Sequence, residues 1–277
     1  MASRIIKIKY RIRLLISSLM VLLIIFSLAS CKKLELNSQW RRGNITIDGI
    51  NNEWEEATTF LKEENILVGV MNDDEYLYLS LITNDRFMWN RVTGMGFTIW
   101  FDPAGGKKKV FGIQYPLGMQ EMGVPMMGWR GSDENRENRH KIIEQSLNEL
   151  KILGADKEDW NRMLVKDATG IEVKVNNDSG SFVYELKVPL MKSEQHPYAI
   201  GVEPGATVGV GLEMQKIDRE KMWAGRGGRM RGGGMGPPGG MRGGMGRPPA
   251  GGMRGAGERP GMPEPLKLWM KVKLKSE

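Results

Sequence analysis

The chain has 277 residues, 40% of them hydrophobic, with eight tryptophans, a single cysteine and a formal net charge of +7. One cysteine excludes an intrachain disulfide, so the fold must rest on its apolar core. The charge does not describe a nucleic-acid-binding body: five cations lie in the first 13 residues and seven arginines in the stretch 224–265 against Glu258 and Glu264, leaving the remainder mildly acidic.

The chain begins as an export signal. Arg4, Lys7, Lys9, Arg11 and Arg13 precede an apolar run, Leu14 to Leu28, of signal-peptide length and marginal for a stable membrane span. Leu28-Ala29-Ser30-Cys31 then resembles a lipobox, which implies removal of residues 1–30 and acylation of Cys31. An uncleaved anchor would leave the following domain on the same side of the membrane. Lys32-Lys33 lacks the aspartate that can mark inner-membrane retention, so the outer membrane is the expected address. Residues 31–43 read as a tether.

Asn44 to Gly49 alternates and turns, and Glu53-Trp54-Glu55-Glu56-Ala57 follows as a short piece closing one end of a sheet. Ile66 to Met71, a turn at Asp73-Asp74 and Tyr76 to Ile82 form a hairpin, with Leu77, Leu79 and Leu81 on one face. In Gly96 to Asp102, Phe97, Ile99 and Phe101 point one way and Thr98 and Trp100 the other; Lys109 to Tyr115 pairs back. Apolar residues at Ile142, Ile143, Leu147, Leu150 and Leu153 give a helical period, so an inserted helix is expected over about 135–154, stopped by Gly154.

Ile171 to Val175, Phe182 to Val188 and Thr207 to Met214 are strand-like again, Pro189 ending the middle run. Residues 224–265 hold about 17 glycines with Arg, Met and Pro, too little branched apolar content for a core, and read as a disordered loop. In the final run, 266–277, Leu268, Met270, Val272 and Leu274 face inward, while Trp269 and four lysines face outward as on a half-solvated or edge strand. Many short strands at turn-punctuated spacing predict an all-β, antiparallel, jelly-roll-like sandwich, one domain of roughly 200 residues built from 44–223 and the last strand.

Four pieces, in order, carry a family resemblance. They are Ile47-Asp48-Gly49 with Glu53-Trp54 and Ala57; Asp73-Asp74-Glu75-Tyr76-Leu77-Tyr78; Phe97 to Asp102, ending Trp-Phe-Asp; and Tyr184 to Leu190. The chain resembles the family 9 carbohydrate-binding modules and their DOMON-like relatives, which implies a β-sandwich and a non-catalytic binding role, with glycan as the expected partner. In sugar-binding members two loop tryptophans clamp a terminal sugar, so the resemblance places the site at Trp89 and Trp223, with Trp129, Asn90 and Arg91 beside them. Trp54 belongs to the core in this comparison. No cofactor is required, although such modules often carry structural calcium. Asp48, Asp73, Asp74, Asp85 and Asp102, at strand ends, are oxygen ligands of the type calcium takes and equally good turn formers.

Other readings stay open. His140 and His196 are the only histidines and read as surface residues, and no recognisable catalytic motif occurs. Met119, Met122, Met126 and Met127 beside Trp129, with further methionines in the Gly-rich stretch, offer soft thioether ligands to Cu(I), or an axial ligand to haem. A domain that only docks a protein partner of the cell envelope is the third reading. The Arg-Gly repeats resemble nucleic-acid-binding tails, but outside the cytoplasm lipid head groups and acidic polysaccharides are the available anions, so no nucleic-acid partner is expected.

Overall fold

The computed structural model describes residues 34–119, 121–123, 133–156, 158–178, 180–215 and 265–277. In chain order they form β1 (Glu35–Asn37), β2 (Gln39–Trp40), β3 (Thr58–Leu61), β4 (Ile66–Asn72), β5 (Tyr76–Thr83), α1 (Met88–Met95), β6 (Phe97–Asp102), β7 (Phe111–Gln114), α2 (Asp133–Asn148), β8 (Glu149–Leu153) and β9 (Trp160–Leu164). A 3-10 turn at Val165–Asp167 leads to β10 (Glu172–Asp178), β11 (Ser181–Pro189), β12 (Thr207–Met214) and β13 (Lys267–Lys273). This is the expected all-β sandwich. One sheet runs β1-β13-β12-β6-β7-β8-β9; the other runs β10-β11-β5-β4-β2, with β3 on the rest of the β4 edge.

Strand alternation makes the core. Leu77, Leu79 and Leu81 are at most 4% exposed and face a cluster that includes Phe97, Ile99 and Phe101, each at most 2% exposed. A second, smaller cluster covers the outer face of the six-stranded sheet. There Trp54 is fully buried with Met71, Tyr78, Ile82 and Val183, and Ile45, Ile47 and Ala57 pack against them, so residues 44–57 lie across that sheet as a strap. The buried Glu185 carboxylate ties the strap down, accepting the Gly49 N–H at 2.6 Å and the Trp54 indole N–H at 2.6 Å. The Ile-Asp-Gly and Glu-Trp pieces therefore sit together because one carboxylate on β11 serves both.

Several expectations change. Part of the 31–43 tether is structural: β1 pairs parallel with β13 and β2 parallel with β4, so the segment closes an edge of each sheet and the sandwich is not purely antiparallel. Ser38 makes the crossing, donating to Asn72 Oδ1, and the Lys275 N–H donates to Asn72 Oδ1 and to Ser38 Oγ, both at 2.9 Å. Because β1 lies outside it, β13 is no edge strand, although its outward face stays half-solvated. The inserted helix ends at Asn148, short of 154. From Glu149 the chain alternates instead, burying Leu150 and Ile152 while Glu149, Lys151 and Leu153 face out, and pairing with β7 outweighs the helical spacing. The second helix, α1, comes before β6.

Candidate functional site

Strand register defines one end of the sandwich. Phe97 pairs with Met214, Thr98 with Gln114, Gln114 with Lys151, and Glu213 with Lys267, while Thr83 pairs with Phe182 on the other sheet. Three excursions leave from this end: β5 to β6 through α1, β7 to β8 through α2, and β12 to β13 through residues 215–266. They carry Trp89, Trp129 and Trp223 respectively.

Backbone contacts bind their roots together. The Met119 N–H donates to Gly94 O at 3.0 Å, Leu117 N–H to Ser146 O at 3.4 Å and Gln215 N–H to Gly96 O at 3.4 Å. Under α1 lies a cavity of about 10 Å³ lined by Met88, Val92, Phe97 and Leu266 among others, the size of one water and too small for a sugar.

Trp89 is the second residue of α1 and not a loop residue; its ring is half-buried against the inter-sheet core. An Asx turn leads into the helix: Asp85 Oδ1 accepts the Phe87 N–H at 2.9 Å and its other oxygen pairs with Arg91. Arg91 is thereby committed to the helix, while Asn90 is exposed. Sequence reading missed Phe87, whose ring is 56% exposed at the helix start with the Arg86 guanidinium 4.9 Å from its centroid. The signal was present: Met88, Val92 and Met95 recur at helical spacing between Asp85 and Gly96. Trp129, Trp223 and Cys31 lie outside the described residues, as do most of 224–265 and Met126 and Met127.

The aspartates work in turns. Asp73 Oδ1 accepts the N–H groups of Glu75 and Tyr76, and its other oxygen accepts the Tyr78 hydroxyl and pairs with Arg41. Asp102 accepts the N–H groups of Ala104 and Lys108, and Asp48 that of Ile50. Asp74 lies exposed in the turn beside Asp73. Among the described residues no group of three or more His, Cys, Asp or Glu side chains is placed to hold a metal ion.

Met119 is 5% exposed and spent on packing, and Met122 sulfur meets an Arg162 N–H at 3.2 Å. His140 is exposed on α2, as expected. His196 differs: its ring packs edge-on to Tyr76 with Nε2 2.9 Å from the Tyr76 hydroxyl, and it fills the space over Gly170. Tyr76 itself is held above its ordinary pKa, chiefly by burial. No described helix is long and apolar enough to cross a membrane.

No protein-family model and no curated protein matches the chain. Among solved structures, a carbohydrate binding module of family 9 from Caldicellulosiruptor kristjanssonii, in complex with glucose, is similar over 68% of this chain and 81% of that chain, with 10% identity and a TM-score of 0.33.

Proposed function

We propose that this chain is a lipid-anchored, extracytoplasmic, non-catalytic glycan-binding module whose site lies at the loop end of the sandwich. The observation that carries this reading is the common origin there of three excursions, each bearing a tryptophan. A sugar ring presents an apolar C–H face that packs on an aromatic ring, while its hydroxyls need directional polar partners. Phe87, just before α1, and Trp89, in it, supply aromatic surface, and Asn90 supplies an exposed amide. Trp129 and Trp223 complete the site in this reading, and acylated Cys31 moors it.

Titration with a glycan panel, followed by tryptophan fluorescence, tests the proposal. Phe87→Ala is expected to weaken binding about tenfold with little effect on stability, because the ring is 56% exposed, and Trp89→Ala with Trp223→Ala is expected to abolish it. Absence of quenching by every glycan, or unchanged affinity in the double variant, rejects the site. Cys31→Ser is expected to move the chain from the membrane to the soluble fraction and to end labelling by a fatty-acid probe; retention with labelling rejects the anchor.

A further inference from the structure

The outer face of the seven-stranded sheet carries indoles that the loop-end site does not use. Register sets Trp269, Gly211, Trp100, Gly112, Leu153 and Trp160 in one line across six strands, from β13 to β9. Trp269 lies over Gly211 and Trp100 over Gly112: a Cβ on either glycine would come within 2.7 Å of the ring. Each indole is therefore laid flat along the sheet. Both are half-buried, and Trp160, on the edge strand, is 52% exposed. Strand spacing sets Trp269 and Trp100 about 10 Å apart, with Trp160 about 14 Å further along the same line.

The six-stranded sheet shows what this device looks like when it serves packing alone. Trp54 lies over Gly69 too, but as the strap's own side chain pressed onto the sheet and with no exposure. The indoles of the seven-stranded sheet keep open surface.

The neighbouring row, about 7 Å toward the loop end, is charged. It includes Lys267, Glu213 and Lys151. Glu213 accepts the Trp100 indole N–H at 3.1 Å and is shared by two lysines, Lys109 and Lys267, the latter at 3.9 Å. One carboxylate between two ammonium groups leaves this stretch cationic. Lys109 Nζ lies 5.0 Å from the Trp100 ring centroid and Lys151 Nζ 4.2 Å from that of Trp160; Lys151 also faces Glu121 at 3.6 Å.

We propose that this face binds an extended acidic polysaccharide, a uronate-bearing chain laid across the strands along the indole row. A pyranose ring advances an extended chain by about one strand width, so indoles two and three strands apart meet separate sugars. The flat rings take C–H faces, and Lys109, Lys151 and Lys267 take the carboxylates that project from the sugar edge. A neutral glycan would gain nothing from the second ammonium group that shares Glu213. The site is independent of the loop-end site.

Calorimetric titration of the full chain in detergent micelles, with polygalacturonate and with a neutral β-glucan as probes, tests this. Polygalacturonate is expected to bind at least about tenfold more tightly than the glucan and to weaken as salt is raised. Trp160→Ala, an exposed edge position where truncation spares the fold, and Lys109→Gln are each expected to weaken polygalacturonate binding about five- to tenfold, while Phe87→Ala leaves it unchanged. Equal binding of the two probes, no binding of polygalacturonate, or unchanged affinity in both Trp160→Ala and Lys109→Gln overturns the proposal. Loss in Phe87→Ala alone overturns it too, and transfers the binding to the loop end.

Discussion

Replacing Glu185 with leucine is expected to destabilise the chain by about 3–5 kcal/mol, because two buried N–H donors, each costing about 1–3 kcal/mol when left unpaired, lose this acceptor together. They are the Gly49 amide and the Trp54 indole, both 2.6 Å from the carboxylate. The strap over the six-stranded sheet then loses its central tie, and with it the cover over Met71, Tyr78 and Val183. Glu185→Gln keeps one acceptor but turns an N–H toward a donor, so about half that loss is expected.

Burial raises the Glu185 pKa above 4.5, against the lowering effect of the two hydrogen bonds, and Asp48 and Glu53 raise it further. The native state thus holds this proton more tightly than the unfolded chain. Its contribution is fully present below 4.5 and is lost as pH rises from there toward the native value. Urea midpoints should fall across that window more steeply in the wild type than in Glu185→Gln. Parallel pH profiles, or a loss under 1 kcal/mol in Glu185→Leu, would contradict the tie.

What the sequence made legible followed the strength of local periodicity. Alternation in Tyr76 to Ile82 and Gly96 to Asp102 identified β5 and β6 because each buries one face on the shared core. β1, β2 and β9 escaped notice because they are short, and β9 is largely exposed; their pairing depends on partners far along the chain. Leu147, Leu150 and Leu153 mimic a helical stripe, yet the last two belong to β8, where pairing with β7 decides the conformation. α1 includes Val92, Thr93 and Gly94, weak helix formers, so its tertiary contacts and the Asp85 turn that leads into it make it. That change moved Trp89 from a loop to a half-buried helix position. Outward orientation of Trp100 and Trp269 was readable from alternation, but their alignment with Gly211, Gly112 and Trp160 is a property of register, which no local pattern encodes.

Gly118→Ala is expected to cost about 3 kcal/mol or more, through a backbone crossing at the loop end that admits no side chain. Gly118 has φ +80°, and a Cβ there would lie 2.6 Å from the Met95 carbonyl carbon, 2.8 Å from Gly96 Cα and closer still to the Gly96 nitrogen. Its opposite number is equally confined, since a Cβ on Gly96 would meet Leu117 O at 2.5 Å. All of these atoms are main chain, so no flexible group can swing aside and relief requires α1 to move away from the second excursion. The next residue, Met119, is 5% exposed and donates its N–H to Gly94 O, so that movement would also open packing and break a hydrogen bond. Gly123→Ala provides the control: its φ is +73° but nothing among the described residues lies within 4 Å, leaving the conformational cost of about 1–2 kcal/mol. Thermal unfolding should therefore separate the two variants clearly, with Gly118→Ala the lower. Because α1 carries Trp89 and follows directly on Phe87, the fraction of Gly118→Ala that stays folded should also bind glycan more weakly than Gly123→Ala does; equal melting temperatures and equal affinities would show that this crossing does not set the geometry of the loop end.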